Sequence, residues 1–362
     1  MTTVDIAIPV LNEESYLHGC LDSVLGFDLP EGVSCTIYVL DGGSTDRTRA
    51  IAGEYSRRHE SIVILDNPGK IQSCAMNIVI LEGRGDYILR LDAHSFYPPD
   101  YLKLCLETAQ RTGADNVGGV FITKPGGTGY QASLVQALTT HRFGVGNSEF
   151  RLNAKEGPAD TVPYGFLRRS IFERIGLYDE RLVRAQDYEI NRRITSAGGK
   201  VWLNPKIKVY YHNQPTLVKF YTKQTLKEGP YNAYLWWAAP YAFAVRHAVT
   251  AAFVLGILCG AFMSLFSQLI FDAYAGVIAL YCFLALFSAF QQATRYRQLR
   301  HVFFLPFCFF SYHFLHGIGV LWGLCRLGVG KAPVQKIAEP WPGAGRVRAL
   351  PNLRIENLIV VD

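Results

Sequence analysis

The stretch "LRLDAHS" (89–95) sets Asp92 and His94 two positions apart behind an apolar run. On an extended backbone, side chains at i and i+2 leave from the same side, so a carboxylate and an imidazole there would converge on one ion. That mixed oxygen and nitrogen set suits Mn²⁺ and also admits Mg²⁺. The plainer alternative for His94 is a strand-end histidine bonded to backbone. Asp41 ends a second apolar run, "CTIYVLD" (35–41), and Asp187 opens "QDYEINRRI" (186–194), where Ile190 and Ile194 fall four apart as on one helix face. Each aspartate alone has an ordinary reading, as a turn residue after a strand or as a cap and macrodipole partner at a helix start. Their recurrence, together with Pro9 to Glu13 behind the first apolar run, favours one shared site.

A site of that kind needs elements that bring these positions to one edge. Apolar runs at 4–10, 35–41, 61–66 and 86–92 read as strands, and helices are expected to begin near Glu13, Ser44, Lys70 and Pro99, with Ser44 as a cap after a glycine turn. The alternation predicts an α/β fold with a mostly parallel sheet, which binds ligands beyond the carboxyl ends of its strands. Further along, "DTVPYGFLRRSIFERIGLYDERL" (160–182) offers a loop with Gly165 ahead of an Arg-rich amphipathic helix.

The 362 residues are 49% hydrophobic, but unevenly so: 1–224 reads as a soluble globular domain, whereas 238–325 is dominated by Ala, Leu, Phe, Val and Gly. Uncharged runs at 248–266 and 273–290 are each near the ~20 residues that a spanning helix needs. A third run, 302–325, contains Pro306, His313 and His316. Arg295, Arg297 and Arg300 mark a cytoplasmic loop after the second run and leave the N-terminal domain cytoplasmic. A third span would then put the basic tail on the wrong side, so 302–325 is read as re-entrant or interfacial. The expected organisation is a domain over 1–235, a membrane region over 236–325 (hairpin about 243–266 and 269–290, third segment 302–325) and a basic tail over 326–362. No signal peptide is read at the start. The eight cysteines form no CxxC pair and are expected to be reduced apolar residues. A net charge of +6, partly juxtamembrane, favours anionic lipid over nucleic acid as a partner.

Five segments in order, "IPVLNEE", "VLDGGSTDRT", "NPGKIQSCAMNIVI", "RLDAHS" and "QDYEINRRI", resemble glycosyltransferase family 2, with the likeness covering roughly residues 4–231. "DAH", "FGVGNSEFR" (143–151), "DTVPYG" and the hydrophobic hairpin look most like the succinoglycan-type exopolysaccharide glucosyltransferases within it. The chain departs at Leu11, where an aromatic is usual, and at Gln186, where Glu is common. Gln186 should leave Asp187 less basic than an adjacent carboxylate pair would.

The resemblance implies a GT-A type nucleotide-binding fold followed by a hydrophobic helical membrane region. It also implies an inverting, metal-dependent transfer of a sugar, glucose foremost, from a UDP-sugar to a polyprenyl-diphosphate-linked saccharide at the inner membrane. By the same resemblance, Pro9, Glu13, Asp41 and Lys70 line the nucleotide-sugar pocket. Asp92 and His94 hold Mn²⁺ or Mg²⁺, Asp187 is the general base, and Gly165 sits in an acceptor or donor-sugar loop. Residues 212–232 resemble the family's interfacial segment. The rival readings are a polyprenyl-phosphate glycosyltransferase of the same fold and a non-catalytic nucleotide-binding membrane component.

Overall fold

The computed structural model describes residues 1–152 and 155–334, and the predicted tail beyond 334 lies outside the described residues. In chain order its elements are β1 (Thr2–Val10), α1 (Leu17–Leu25), β2 (Val33–Asp41), α2 (Thr48–Arg58), β3 (Ile62–Asp66), α3 (Gln72–Glu82), β4 (Tyr87–Arg90), β5 (Ser95–Phe96), α4 (Tyr101–Thr112) and β6 (Asn116–Lys124). There follow α5 (Tyr130–Thr139), α6 (Arg142–Val145), β7 (Gly157–Pro158), β8 (Phe166–Arg168), α7 (Ile171–Ile175), α8 (Gln186–Ser196) and β9 (Val201–His212). The last part is helical: α9 (Leu217–Lys223), a π turn (Gln224–Glu228), α10 (Gly229–Ala238), α11 (Val245–Met263), α12 (Gln268–Tyr296) and α13 (Arg300–Gly328).

The expected α/β architecture is present. The sheet runs β3-β2-β1-β4-β8-β6-β9-β5, with β7 added on β9. β3, β2, β1 and β4 are parallel, whereas β8 is antiparallel to both β4 and β6. Register aligns the carboxyl ends: Val10 stands beside Asp41, Asp41 beside Asp66, and Ala7 beside Arg90. The parallel strands read as near-continuous apolar runs because both faces are covered. Val4, Ile6, Ile8, Val39 and Leu89 pack into one core with Leu17, Leu21 and Ile51 from the flanking helices.

The predicted strands fall within two residues of the observed ones, but the helices start later than expected. Asn12 and Lys70 take positive φ (56° and 58°), so the chain bends through a loop before each helix begins. Ser44 does not cap α2. Its hydroxyl donates to Asp41 and accepts from the Asn12 N–H instead.

By compactness the chain divides into two units that interleave in sequence. One takes in 1–122 and 155–211, the other 123–152 and 212–332. Residues 123–152 and 212–235, which the sequence groups with the N-terminal domain, therefore cluster with the apolar helices.

In the second unit, α11, α12 and α13 are each long and apolar enough to cross a membrane. Leu258, Phe262, Phe283, Phe287, Phe303 and Phe307 are exposed along them. α13 runs 29 residues through Pro306 without reversing, about 43 Å at 1.5 Å per residue, so the re-entrant path expected for 302–325 is not what these residues form. Two of its histidines are bonded to neighbouring helices, His313 to Tyr281 (2.9 Å) and His316 to Thr250 (2.9 Å). Polar groups satisfied inside a helix cluster do not keep a helix out of an apolar medium. Gly317 and Gly319 admit close neighbours, since a Cβ there would lie 2.1 Å and 2.4 Å from the Thr250 and Thr225 carbonyl oxygens.

Candidate active site

All the site residues named from the sequence belong to the first unit, most at the carboxyl ends of its parallel strands. They form two groups joined through the loops after β1 and β4.

The first group is built on Asp41, the last residue of β2. Its side chain is 2% exposed, and both oxygens are engaged. Oδ1 accepts from the Ser44 N–H (3.0 Å) and hydroxyl (2.6 Å), and Oδ2 accepts from Arg49 Nη1 (3.1 Å). Arg49 also reaches Asp66 at 2.6 Å. Burial works against the Asp41 charge, but the Ser44 bonds and the Arg49 guanidinium outweigh it and hold the carboxyl below its usual range. The loop after β1 is laced to this turn: Asn12 Oδ1 accepts from the Thr45 N–H at 2.8 Å, and the Glu13 N–H donates to Thr48 Oγ1 at 2.7 Å. Pro9 is half-buried in β1, and Lys70 is exposed with its Cα near Gly42, so the structure brings Pro9, Glu13, Asp41 and Lys70 to one rim.

The second group is organised by a residue the sequence reading missed. Arg90, the last residue of β4, is buried and forks between two carboxylates. It donates from Nη2 to Asp92 Oδ1 at 2.6 Å and from Nη1 to Asp187 Oδ2. The Tyr164 ring lies beside the guanidinium, its centroid 4.9 Å away. Asp92 Oδ1 is also 3.4 Å from Gln72 Nε2, and Gln186 donates to Gln72. Its backbone is clamped by Tyr97, whose hydroxyl accepts from the Asp92 N–H (2.8 Å) and donates to its carbonyl (3.0 Å). The available signal was an arginine inside the apolar run "YILRLD", where an unpaired charge is not tolerated.

β4 ends at Arg90, and residues 92–95 form a turn in which the Ser95 N–H donates to the Asp92 carbonyl at 3.2 Å. The same-side argument for Asp92 and His94 therefore fails, because it requires extended backbone. His94 Nδ1 instead faces Glu13 Oε1 at 3.4 Å, although its imidazole still acts electrostatically on Asp92. Burial would raise Asp92, but the Arg90 charge, His94 and a Tyr164 hydrogen bond hold it below its usual range.

Asp187 lies in the first turn of α8, behind Ala185 with φ 62°. It is no cap, since its carboxylate turns to Arg90. Its pKa is raised, by burial first and by Asp92 as well, against the pull of Arg90. The absence of a neighbouring acid at Gln186 thus does not decide its basicity.

Gly165 is buried rather than open to a ligand. Its carbonyl accepts from the Arg90 N–H at 3.1 Å, and a Cβ would lie 2.5 Å from Asn116 Oδ1. It is glycine because a side chain from β6 fills that space. The eight cysteines are free, as expected.

A glycosyl transferase family 2 model matches residues 5–176. The chain is 34% identical over 218 residues to a succinoglycan biosynthesis protein of Rhizobium meliloti (strain 1021), covering 60% of this chain and 65% of that protein. The matched stretch is thus just under two thirds of that relative. It is 32% identical over 238 residues to a dolichyl N-acetyl-alpha-D-glucosaminyl phosphate 3-beta-D-2,3-diacetamido-2,3-dideoxy-beta-D-glucuronosyltransferase of Methanococcus voltae, covering 63% of this chain and 72% of that protein. Among solved structures, a mannosyltransferase from Pyrobaculum calidifontis in complex with GDP-Man and Mn²⁺ aligns with a TM-score of 0.54 at 16% identity, over 88% of this chain and 87% of that one. That likeness establishes a shared GT-A fold.

Proposed function

The chain belongs to glycosyltransferase family 2, and we propose that it is an inverting enzyme that moves a hexosyl group, glucose foremost, from a UDP-sugar to a lipid-linked saccharide. The observation that carries this reading is Arg90 forked between Asp92 and Asp187, which brings a donor-side carboxylate and a candidate base together at the carboxyl edge of the sheet.

In this reading Asp187 accepts the acceptor's hydroxyl proton on Oδ1 while Arg90 holds Oδ2. The acceptor oxygen bonds to the anomeric carbon as the bond to the diphosphate oxygen breaks on the opposite face, so an α-linked donor gives a β-linked product. Asp41 accepts from the uracil N–H, a charge-assisted bond that discriminates against bases lacking that donor. Lys70, exposed on the same rim, meets a phosphate.

Asp92 and His94 are the candidate ligands for a divalent cation. Their side chains are 21% and 41% exposed, and a carboxylate oxygen with an imidazole nitrogen suits Mn²⁺ or Mg²⁺. No group of three or more His, Cys, Asp or Glu side chains gathers among the described residues, so a donor diphosphate would complete the coordination. Bound there, the ion would supply Lewis-acid neutralisation of the leaving diphosphate.

The apolar helices fit the acceptor. The Methanococcus relative is named for a dolichyl-phosphate-linked sugar, and α11 to α13 would anchor the enzyme where such lipids reside, with Arg295, Arg297 and Arg300 on the cytoplasmic side. Holding enzyme and acceptor at one surface raises their effective concentration.

The test is transfer of label from a panel of radiolabelled nucleotide sugars into the lipid fraction of membranes containing the protein, with EDTA, Mn²⁺ or Mg²⁺. Label entering lipid from one UDP-sugar, abolished by EDTA and by Asp92→Ala, is the expected result. Transfer that persists in EDTA removes the metal. Transfer that persists in Asp187→Asn points to an acceptor that is already ionised, such as a polyprenyl phosphate.

A further inference from the structure

The fork of Arg90 does more than bring the two carboxylates together. Its Nη2 sits on Asp92 Oδ1, the carboxylate assigned to a divalent cation, and its Nη1 sits on the base. A guanidinium and a metal ion compete for the negative charge of one carboxylate. Nε of Arg90 is buried without a hydrogen-bond partner, so this arrangement leaves one of its donors unused. The Tyr164 ring, 4.9 Å from the guanidinium carbon, offers the cation a platform that does not depend on Asp92. Asp92 and α8 are joined by a second route, through Gln72 and Gln186, so Asp92 would not swing free on losing Arg90.

We propose that Arg90 is an exchange residue: it neutralises Asp92 and Asp187 together before donor binding, yields Asp92 to the incoming divalent cation, and then positions Asp187 alone. The inference rests on the metal-assisted reading above and adds an order of events to it. While no cation is present, Arg90 keeps two neighbouring carboxylates from repelling one another. Once Asp92 has a metal to neutralise it, the fork of Arg90 has Asp187 as its remaining carboxylate. The base is thereby set in place only when the donor side is loaded. Arg90 acts through Asp187 and Asp92, so it is a positioning residue.

The exchange makes two quantities move in opposite directions when Arg90 is removed. In Arg90→Gln the competitor for Asp92 is gone, so Mn²⁺ should bind about tenfold more tightly, the weight of one charge-assisted hydrogen bond. Turnover at saturating Mn²⁺ should fall while KM for the donor changes little, because the base is no longer held. Mn²⁺ uptake is read from the loss of the free-ion electron paramagnetic resonance signal, using the full chain in detergent with saturating UDP. Arg90→Lys keeps the charge but has no fork, and should fall between wild type and Arg90→Gln in both quantities. A purely structural arginine would give weaker Mn²⁺ binding together with lower turnover, and unchanged or weaker binding in Arg90→Gln overturns the exchange. No Mn²⁺ uptake by either protein overturns the metal-assisted reading itself along with the exchange. Should both variants fail to fold, an experimental structure of the wild-type chain with Mn²⁺ and UDP decides the matter. Arg90 bonded only to Asp187 is the expected result, and Arg90 still on Asp92 Oδ1 beside a bound metal refutes the proposal.

Discussion

Two arginines at the same edge of one sheet each bridge two aspartates, yet they sit in opposite surroundings. Arg49, 54% exposed, joins Asp41 and Asp66; Arg90, 5% exposed, joins Asp92 and Asp187. Around Asp41, hydrogen bonds from a local turn win over burial, and the carboxyl is held acidic. Around Asp187, burial wins over the arginine, and the carboxyl is pushed up. The same pair of residue types therefore yields a fixed anion in one place and a group able to take up a proton in the other. What separates them is how many local N–H and O–H donors each carboxylate has besides its arginine.

The strongest way to break this contrast is to remove the group able to take up a proton. Asp187→Asn keeps the shape and loses the base, and kcat should fall by about 10²–10⁴, the usual share of general-base catalysis. Initial rates at saturating donor and acceptor check it. The sign of the pH dependence follows from the raised pKa. A protonated Asp187 cannot accept the acceptor's proton, so activity is lost as pH falls through a midpoint above the ordinary value of 3.8. A rate still flat down to that value would remove Asp187 from the role.

Next in size is the buried arginine that holds this group. Arg90→Gln leaves Asp92 and Asp187 close together without their shared cation. Breaking one side of a buried pair costs about 3–5 kcal/mol, and the partial exposure of both aspartates brings the expectation to about 2–3 kcal/mol at neutral pH. Chemical denaturation of the purified protein would measure it. Losing Arg90 also removes the pull that opposes burial, so the acidic limb of the rate profile should move to higher pH.

This contrast also marks what the sequence could convey. Four strands were legible to within two residues because parallel strands buried on both faces are continuous apolar runs, closed here by Asp41, Asp66 and Arg90. Asp41, Asp92 and Asp187 could be singled out because polar groups at strand and helix ends announce themselves. Arg90 could not be given a role, because its meaning depends on Asp187, 97 positions away, and pairing across that distance leaves no local trace. The extended, same-side geometry expected for Asp92 and His94 fails for a local reason, since the strand ends two residues earlier than its apolar run. Gly165 was misjudged for a distant one, as the side chain that requires a glycine belongs to Asn116 on another strand. The third apolar run reads as re-entrant or interfacial because of the basic tail after it, and the partners of His313 and His316, Tyr281 and Thr250, lie on neighbouring helices that no local pattern links to it.

On the other side of the comparison the effects shrink. Asp41→Asn gives up a charge that accepts three hydrogen bonds, two of them local, and should lower stability by about 1–2 kcal/mol at neutral pH. The folded carboxyl is held below its unfolded value, so this contribution is present above that value and is lost as pH falls through the folded pKa. The difference between the two proteins in denaturant should therefore close in acid, and a difference that persists there would mean Asp41 acts through packing.

The smallest effect is expected where the arginine itself is removed from the exposed pair. Arg49 has half its side chain in water, Asp66 beside it is 74% exposed, and Asp41 keeps both Ser44 bonds without it. Exposed ion pairs contribute about 0–1 kcal/mol, and this one is screened further by salt. Arg49→Ala should thus change the unfolding midpoint only slightly, with the change vanishing at high ionic strength, whereas the loss in Arg90→Gln should persist there because buried charges are screened less. Measuring both variants at low and high salt compares the arginines directly. Equal salt sensitivity in the two would show that burial does not divide these groups, and the raised Asp187 would then need another cause.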